Sequence, residues 1–114
     1  MSGKRNPRVA NGAAHRKLRA RLRSEGRGCW ICRAFGRPDR IDYSLPPGDP
    51  MAFEVDDLVP ISKGGTFSYA NADAAHRRCN QWRGNKSVEE VMALARGIRL
   101  GDARRASGTC SREW

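Results

Sequence analysis

Residues 53–86 read FEVDDLVPISKGGTFSYANADAAHRRCNQWRGNK and carry most of the structural signals of the chain. The alternation of apolar and polar residues over 51–55 predicts a strand, with two acidic residues at its end. The Gly- and Ser-rich run 62–66 predicts a loop, and 77–83 predicts a short helix that ends near Gly84. These elements together indicate a small α+β domain.

The segment between the loop and the short helix is ambiguous. Residues 71–75 are either a return strand or the start of a helix, and their alanines favour the helix locally. Upstream, 41–43 alternates like a short strand, and the prolines of 45–50 indicate an irregular loop. Downstream, the pattern Ser-x-x-Glu at 87–90 is a capping box for a packing helix that we expect to stop at Gly97.

Two short-spaced pairs of candidate metal ligands link residues 53–86 to the segment that precedes them. They are Cys29-x-x-Cys32 and His76-x-x-Cys79. Zinc takes four sulfur or nitrogen ligands in a tetrahedron, commonly as two such pairs, and a closed set of four is structural. The alternatives are buried cysteines beside a surface histidine, or a redox-active C-x-x-C pair. The two matched pairs favour structural zinc, which suits a 114-residue chain with a modest core.

The charge distribution favours a polyanionic partner. The net charge is +10, and residues 1–40 carry twelve Lys and Arg against two acids. The middle of the chain, 41–75, reverses this balance with six acids and one Lys. Carboxylates in a basic protein suit a nuclease, because they can hold a cation where a phosphate will sit.

With its C-x-x-C turn, the stretch resembles the core of an HNH (ββα-metal) endonuclease, particularly the small phage and prophage proteins of actinobacterial hosts. The resemblance covers roughly residues 28–87 and rests on the acidic pair, on LVPISKGG and on RRCNQWRGNK. It implies a zinc-stapled ββα-metal domain with flanking helices. It also implies a metal-dependent enzyme that nicks or cuts double-stranded DNA with low sequence specificity.

The resemblance assigns roles to four residues. Asp56 and Asn80 match the ligands of a catalytic Mg²⁺ or Mn²⁺, and Asn71 matches the residue that braces the loop and orients the base. Asp57 stands where the family usually has histidine, and we interpret it as a substitute general base of reduced efficiency. The alternative is an HNH-like zinc module that binds nucleic acid but cuts it poorly or not at all.

Basic residues around Asn80 are predicted to hold the DNA backbone: Arg77, Arg78, Arg83 and Lys86. A second basic segment, the predicted helix 13–25, is either a solvated helix or a further backbone contact. Trp30 and Trp82 are predicted to pack in the core.

The chain is predicted to form one domain. Residues 1–12 are expected to be a disordered basic arm, 13–100 the zinc-bound domain and 101–114 a flexible tail. Double-stranded DNA is the expected partner, and the resemblance adds a phage terminase or portal. The lack of a long apolar run or secretory signal predicts no membrane association and a cytoplasmic location, that of the host if phage-encoded. The oligomeric state and the role of Cys110 are left open.

Overall fold

A computed structural model describes residues 12–104, with side chains described for 12–98. The predicted arm up to residue 11 and the tail from 105, with Cys110, lie outside the described residues. The structure is α+β, and two 3₁₀ turns occupy Ile61–Lys63 and Tyr69–Asn71. The regular elements, in chain order, are α1 (Gly12–Glu25), α2 (Trp30–Ala34), β1 (Phe53–Asp57), β2 (Ala72–His76), α3 (Arg77–Arg83) and α4 (Val88–Arg104).

β1 and β2 form an antiparallel hairpin. Their register pairs Phe53 with His76 and Asp57 with Ala72. The predicted strand begins two residues later than expected and includes the acidic pair. The ambiguous segment is the return strand, although its alanines favour a helix locally. Ala74 and Ala75 are fully buried. Their small side chains let the helices pack closely on the hairpin. Tertiary packing therefore overrides the local preference of alanine for a helix.

α3 follows β2 without a connecting loop, as His76 is both the last residue of β2 and the N-cap of α3. The first amides of α3 donate to the chain before β1, from Arg77 N to Ala52 O at 2.8 Å and from Arg78 N to Pro50 O at 2.7 Å. These bonds satisfy groups that a helix start otherwise leaves without partners. The predicted helix 77–83 is confirmed. Because α3 follows β2 directly, β1, β2 and α3 form one continuous strand–strand–helix unit.

α1 confirms the predicted helix 13–25 and packs on the hairpin. Leu18 and Leu22 form its buried stripe. Arg19 fixes the helix to β1, because its guanidinium lies 4.6 Å from the centre of the Phe53 ring and donates to the Phe53 carbonyl at 3.4 Å. The 53/55/57 side of β1 therefore faces α1.

α4 starts with the predicted capping box. Ser87 N donates to Glu90 Oε1 at 2.7 Å, and Glu90 N donates to Ser87 Oγ at 3.0 Å. Val91 and Ala95 are buried on the packing face. The predicted stop at Gly97 is wrong, since the helix continues to Arg104; a glycine inside a helix costs only about 1 kcal/mol relative to alanine.

Two further expectations are corrected. Residues 41–43 form a turn region, where the Tyr43 hydroxyl donates to Arg27 O at 2.7 Å and its ring packs on Phe53. The C-x-x-C segment does not stay a turn but opens α2, with Cys29 as N-cap. Among the helices within residues 12–104, none has the length and apolar character needed to cross a membrane.

Candidate metal centre and nucleic-acid interface

The four predicted zinc ligands come together in the core. Cys29, Cys32, His76 and Cys79 are all buried, and their ligand atoms lie within 4.8 Å of one another. Cys32 Sγ lies 3.6 Å from Cys79 Sγ and 3.5 Å from His76 Nδ1, and Cys79 Sγ lies 3.8 Å from His76 Nδ1. A tetrahedron with ligands about 2.3 Å from its centre has edges of about 3.8 Å. The cluster therefore fits a zinc ion with three sulfur ligands and one nitrogen ligand.

Two helix starts position these ligands. Cys29 caps α2 and Cys32 lies in its first turn, while His76 caps α3 and Cys79 lies in its first turn. His76 Nε2 lies 3.0 Å from the Arg40 carbonyl, which orients the ring and leaves Nδ1 facing the sulfurs. A metal bound here would link α2 to the end of the hairpin. The protein would supply all four of its ligands.

The protonation of the cluster supports a metal-binding role. Hydrogen bonds from Cys32 and Cys79 hold the pKa of Cys29 far below its ordinary value. The bond to Cys29 raises the pKa of Cys32 to about 11, and the same neighbour raises the pKa of Cys79. The cluster therefore favours the thiolate form at Cys29. Zinc binds thiolates, so its entry replaces the protons of the remaining thiols.

Asp56, the predicted cation ligand, is engaged elsewhere. It is only 6% exposed, and both carboxylate oxygens accept from Arg83 Nη1 at 2.8 Å. Trp30 Nε1 donates to the same carboxylate at 2.8 Å. Burial raises the pKa of Asp56, whereas the bonds from Trp30 and Arg83 oppose that rise. With its charge matched by a guanidinium, Asp56 does not fit a cation site in this arrangement.

Arg83 is correspondingly not a surface cation. It is 2% exposed, and besides Asp56 it donates to the carbonyls of Asp57, Leu58 and Lys86. The prediction that Arg83 contacts DNA is therefore wrong, because its donors are used to tie the end of α3 to the end of β1. Both tryptophans pack as predicted, Trp30 buried and Trp82 half-buried against the core.

The side chain of Asn80 is engaged by Glu54 on β1. Asn80 Nδ2 donates to Glu54 Oε1 at 2.9 Å, and Glu54 also pairs with Arg77 at 3.5 Å. Glu54 and Asp56 lie on the side of β1 that faces α3. Strand alternation directs the half-buried Asp57 to the opposite side. The carboxylate beside Asn80 is thus Glu54, which the sequence pattern did not single out.

Asn71 braces the loop after β1, as the resemblance implies. Its Oδ1 accepts from Val59 N at 3.0 Å, and its Nδ2 donates to the carbonyls of Val59 at 2.8 Å and Thr66 at 2.9 Å. Gly65 is needed in the same loop, because a Cβ there would lie 1.7 Å from Val59 O. The role of Asn71 in orienting a base stays a prediction.

The remaining predicted DNA contacts differ in accessibility. Arg78 is exposed, whereas Arg77 is half-buried and paired with Glu54. Lys86 lies over the Trp82 ring at 4.5 Å and donates to Trp82 O at 3.1 Å. Further exposed cations lie on α1: Arg16, Lys17, Arg21 and Arg23. Of these, Arg16, Lys17 and Arg23 lie opposite Leu18 and Leu22, a helical-period signal that was available in the sequence.

Comparison of the chain with protein-family models, with curated proteins and with solved structures finds no match in any of the three.

Proposed function

We propose that this chain is a zinc-stabilised module that binds the backbone of double-stranded DNA. The observation that carries the proposal is that three of the six acids in residues 41–75 are ion-paired within the fold. Asp56 pairs with Arg83 at 2.8 Å, Asp73 with Arg27 at 3.1 Å and Glu54 with Arg77 at 3.5 Å. Each of these pairs cancels one charge of each sign, so the +10 net charge is carried by other side chains, many of them exposed.

Binding of this kind is electrostatic. Contacts to phosphates release counterions and carry no sequence information directly, so affinity falls steeply with salt and varies little with sequence. Zinc would hold the frame on which the basic side chains are presented, and it takes no part in contacting the phosphates, because its ligand set is closed.

We expect the zinc-loaded protein to bind a fluorescent 20-base-pair duplex with strongly salt-dependent affinity. For about four phosphate contacts, raising NaCl from about 50 to about 200 mM should weaken binding by roughly two orders of magnitude. Anisotropy titrations would measure this, with a duplex of shuffled sequence as the control for base specificity. Absence of binding even at low salt would contradict the proposal.

Cleavage of the bound DNA is a second candidate function. The order strand–strand–helix and the three-bond brace made by Asn71 favour it, since both follow the HNH resemblance. Asp57 would then act as the general base. Mg²⁺ or Mn²⁺ is the cofactor that the resemblance implies, but Asp56, the ligand assigned to it, is paired with Arg83 and does not fit that role. A phage terminase or portal is the implied partner.

Nicking of supercoiled plasmid tests this second function. We expect conversion to open circles in Mg²⁺ or Mn²⁺, with loss in Asp57→Ala and Asn80→Ala and retention in Glu89→Ala, an exposed acid on α4. If Asp57 is a weak base, Asp57→His should nick faster than the native protein. If the native protein and the Asp57→His variant both bind plasmid without nicking it, cleavage is excluded and DNA binding is the activity.

A further inference from the structure

The outward face of α1 is a basic surface that the resemblance does not cover. At about 3.6 residues per turn, Arg16, Lys17 and Arg23 fall on one side of the helix, opposite the buried Leu18 and Leu22. The only acid in α1 is Glu25, at its C-terminal end. The outward face thus presents positive charge without intervening carboxylates.

The fold uses some basic residues of α1 internally and leaves others available. Arg19 is fixed on Phe53, and Arg21 lies 3.5 Å from the centre of the Tyr69 ring and 3.6 Å from Glu25. By contrast, Arg16, Lys17 and Arg23 are exposed and form no ion pair with any residue in the part of the chain that the structure describes. Their charges are not needed to hold the helix in place.

Small residues separate these cations. Ala13, Ala20 and Ser24 share the outward face and are exposed. A face lined by small side chains lets a phosphate chain approach the helix while the long arginine and lysine side chains reach outward on either side. Arg16 and Arg23 lie about 10 Å apart along the axis, at about 1.5 Å per residue. That span covers several charges of a DNA duplex, which carries one per about 1.7 Å.

The helix is also rigidly placed. Leu18 and Leu22 pack into the core, and Arg19 joins the helix to β1. Because Phe53 faces α1 while Glu54 faces α3, the α1 surface lies on the other side of the hairpin from Asn80 and its neighbours.

We propose that Arg16, Lys17 and Arg23 form the main contact surface for the backbone of double-stranded DNA. This inference rests on the proposed DNA binding and assigns it to α1 instead of α3. The contact is with phosphates, so it confers affinity and no base preference.

The test compares two triple variants that remove the same charge. One is Arg16→Gln/Lys17→Gln/Arg23→Gln. The matched control is Arg33→Gln/Lys63→Gln/Arg96→Gln, which alters three exposed cations on other elements. The plot of log affinity against log salt should lose about 2.7 units of slope in the α1 variant, at about 0.9 per phosphate contact, and clearly less in the control. Zinc content and circular dichroism matching the native protein show that each variant is folded.

The outcomes separate the inference from the function on which it rests. If the native protein binds no duplex, the proposed function fails. If the native protein binds and the two triple variants have equal slopes, the α1 surface is wrong and only net charge matters. If the native protein prefers single-stranded RNA to the duplex, and the α1 variant loses that binding, the duplex assignment is overturned.

Discussion

The Cys79→Ser variant should lose its zinc and fail to fold. Structural zinc in small domains supplies about 10–16 kcal/mol of binding free energy, which is also folding free energy. That is as large as the roughly 5–15 kcal/mol that makes up the whole net stability of an ordinary domain. Cys79 joins the first turn of α3 to Cys29 and Cys32 of α2. Removing one ligand opens the link between these helices and leaves buried thiols without a shared metal.

Metal analysis and circular dichroism would measure this effect. Cys110→Ser is the matched control, because Cys29, Cys32, His76 and Cys79 already supply the four ligands of a tetrahedral zinc site, so zinc content and fold should be unchanged. A strong zinc chelator should unfold the native protein in the same way as the variant. A Cys79→Ser protein that keeps its native spectrum without zinc would contradict a structural role for the metal.

The second large effect is expected at the buried pair of Asp56 and Arg83. Replacing Arg83 with methionine should lower the free energy of unfolding by about 3–5 kcal/mol, since a buried carboxylate then keeps no cation partner. Arg83→Met also removes donors from the carbonyls of Asp57 and Leu58 at the end of β1. Urea denaturation in saturating zinc would measure the change, so that metal loss does not contribute to it.

A double-mutant cycle shows whether the pair acts as one unit. Asp56→Asn alone should also be strongly destabilising, and the double variant should lose about 1–3 kcal/mol less than the sum of the single variants. The control is Arg33→Met, whose pair with Asp39 is exposed and should contribute less than about 1 kcal/mol. If Asp56 instead serves a divalent cation, Arg83→Met should be as stable as the native protein when Mg²⁺ is present.

The zinc cluster and most of the fold could be predicted from the sequence because they depend on local signals. The spacing of Cys29, Cys32, His76 and Cys79 leaves few chemical alternatives, and the structure brings these ligands together. The basic helix α1 and the capping box of α4 follow from hydrophobic period and side-chain chemistry. The resemblance predicted that Asn71 braces the loop, and the structure shows three hydrogen bonds between the Asn71 side chain and the backbone of Val59 and Thr66.

The interpretation of the acidic stretch depended on partners that sequence spacing does not reveal. Arg83 lies 27 residues from Asp56 along the chain, yet its guanidinium reaches Asp56 because α3 packs back on β1. The same packing places Asn80 against Glu54. The acidic run was therefore interpreted as a cation site, whereas two of its members, Glu54 and Asp56, are paired with arginines in the structure. The strand at β2 was ambiguous for a related reason, since burial between packed elements outweighs the helix preference of alanine.

X-ray absorption at the zinc edge on the purified protein tests the central claim, that a zinc ion held by Cys29, Cys32, His76 and Cys79 organises this fold. We predict about one zinc per chain, with three sulfur ligands at about 2.3 Å and one nitrogen ligand at about 2.0–2.1 Å. His76→Cys should change the signal to four sulfur ligands. A folded native protein without zinc, or zinc bound mainly by oxygen, would contradict the account.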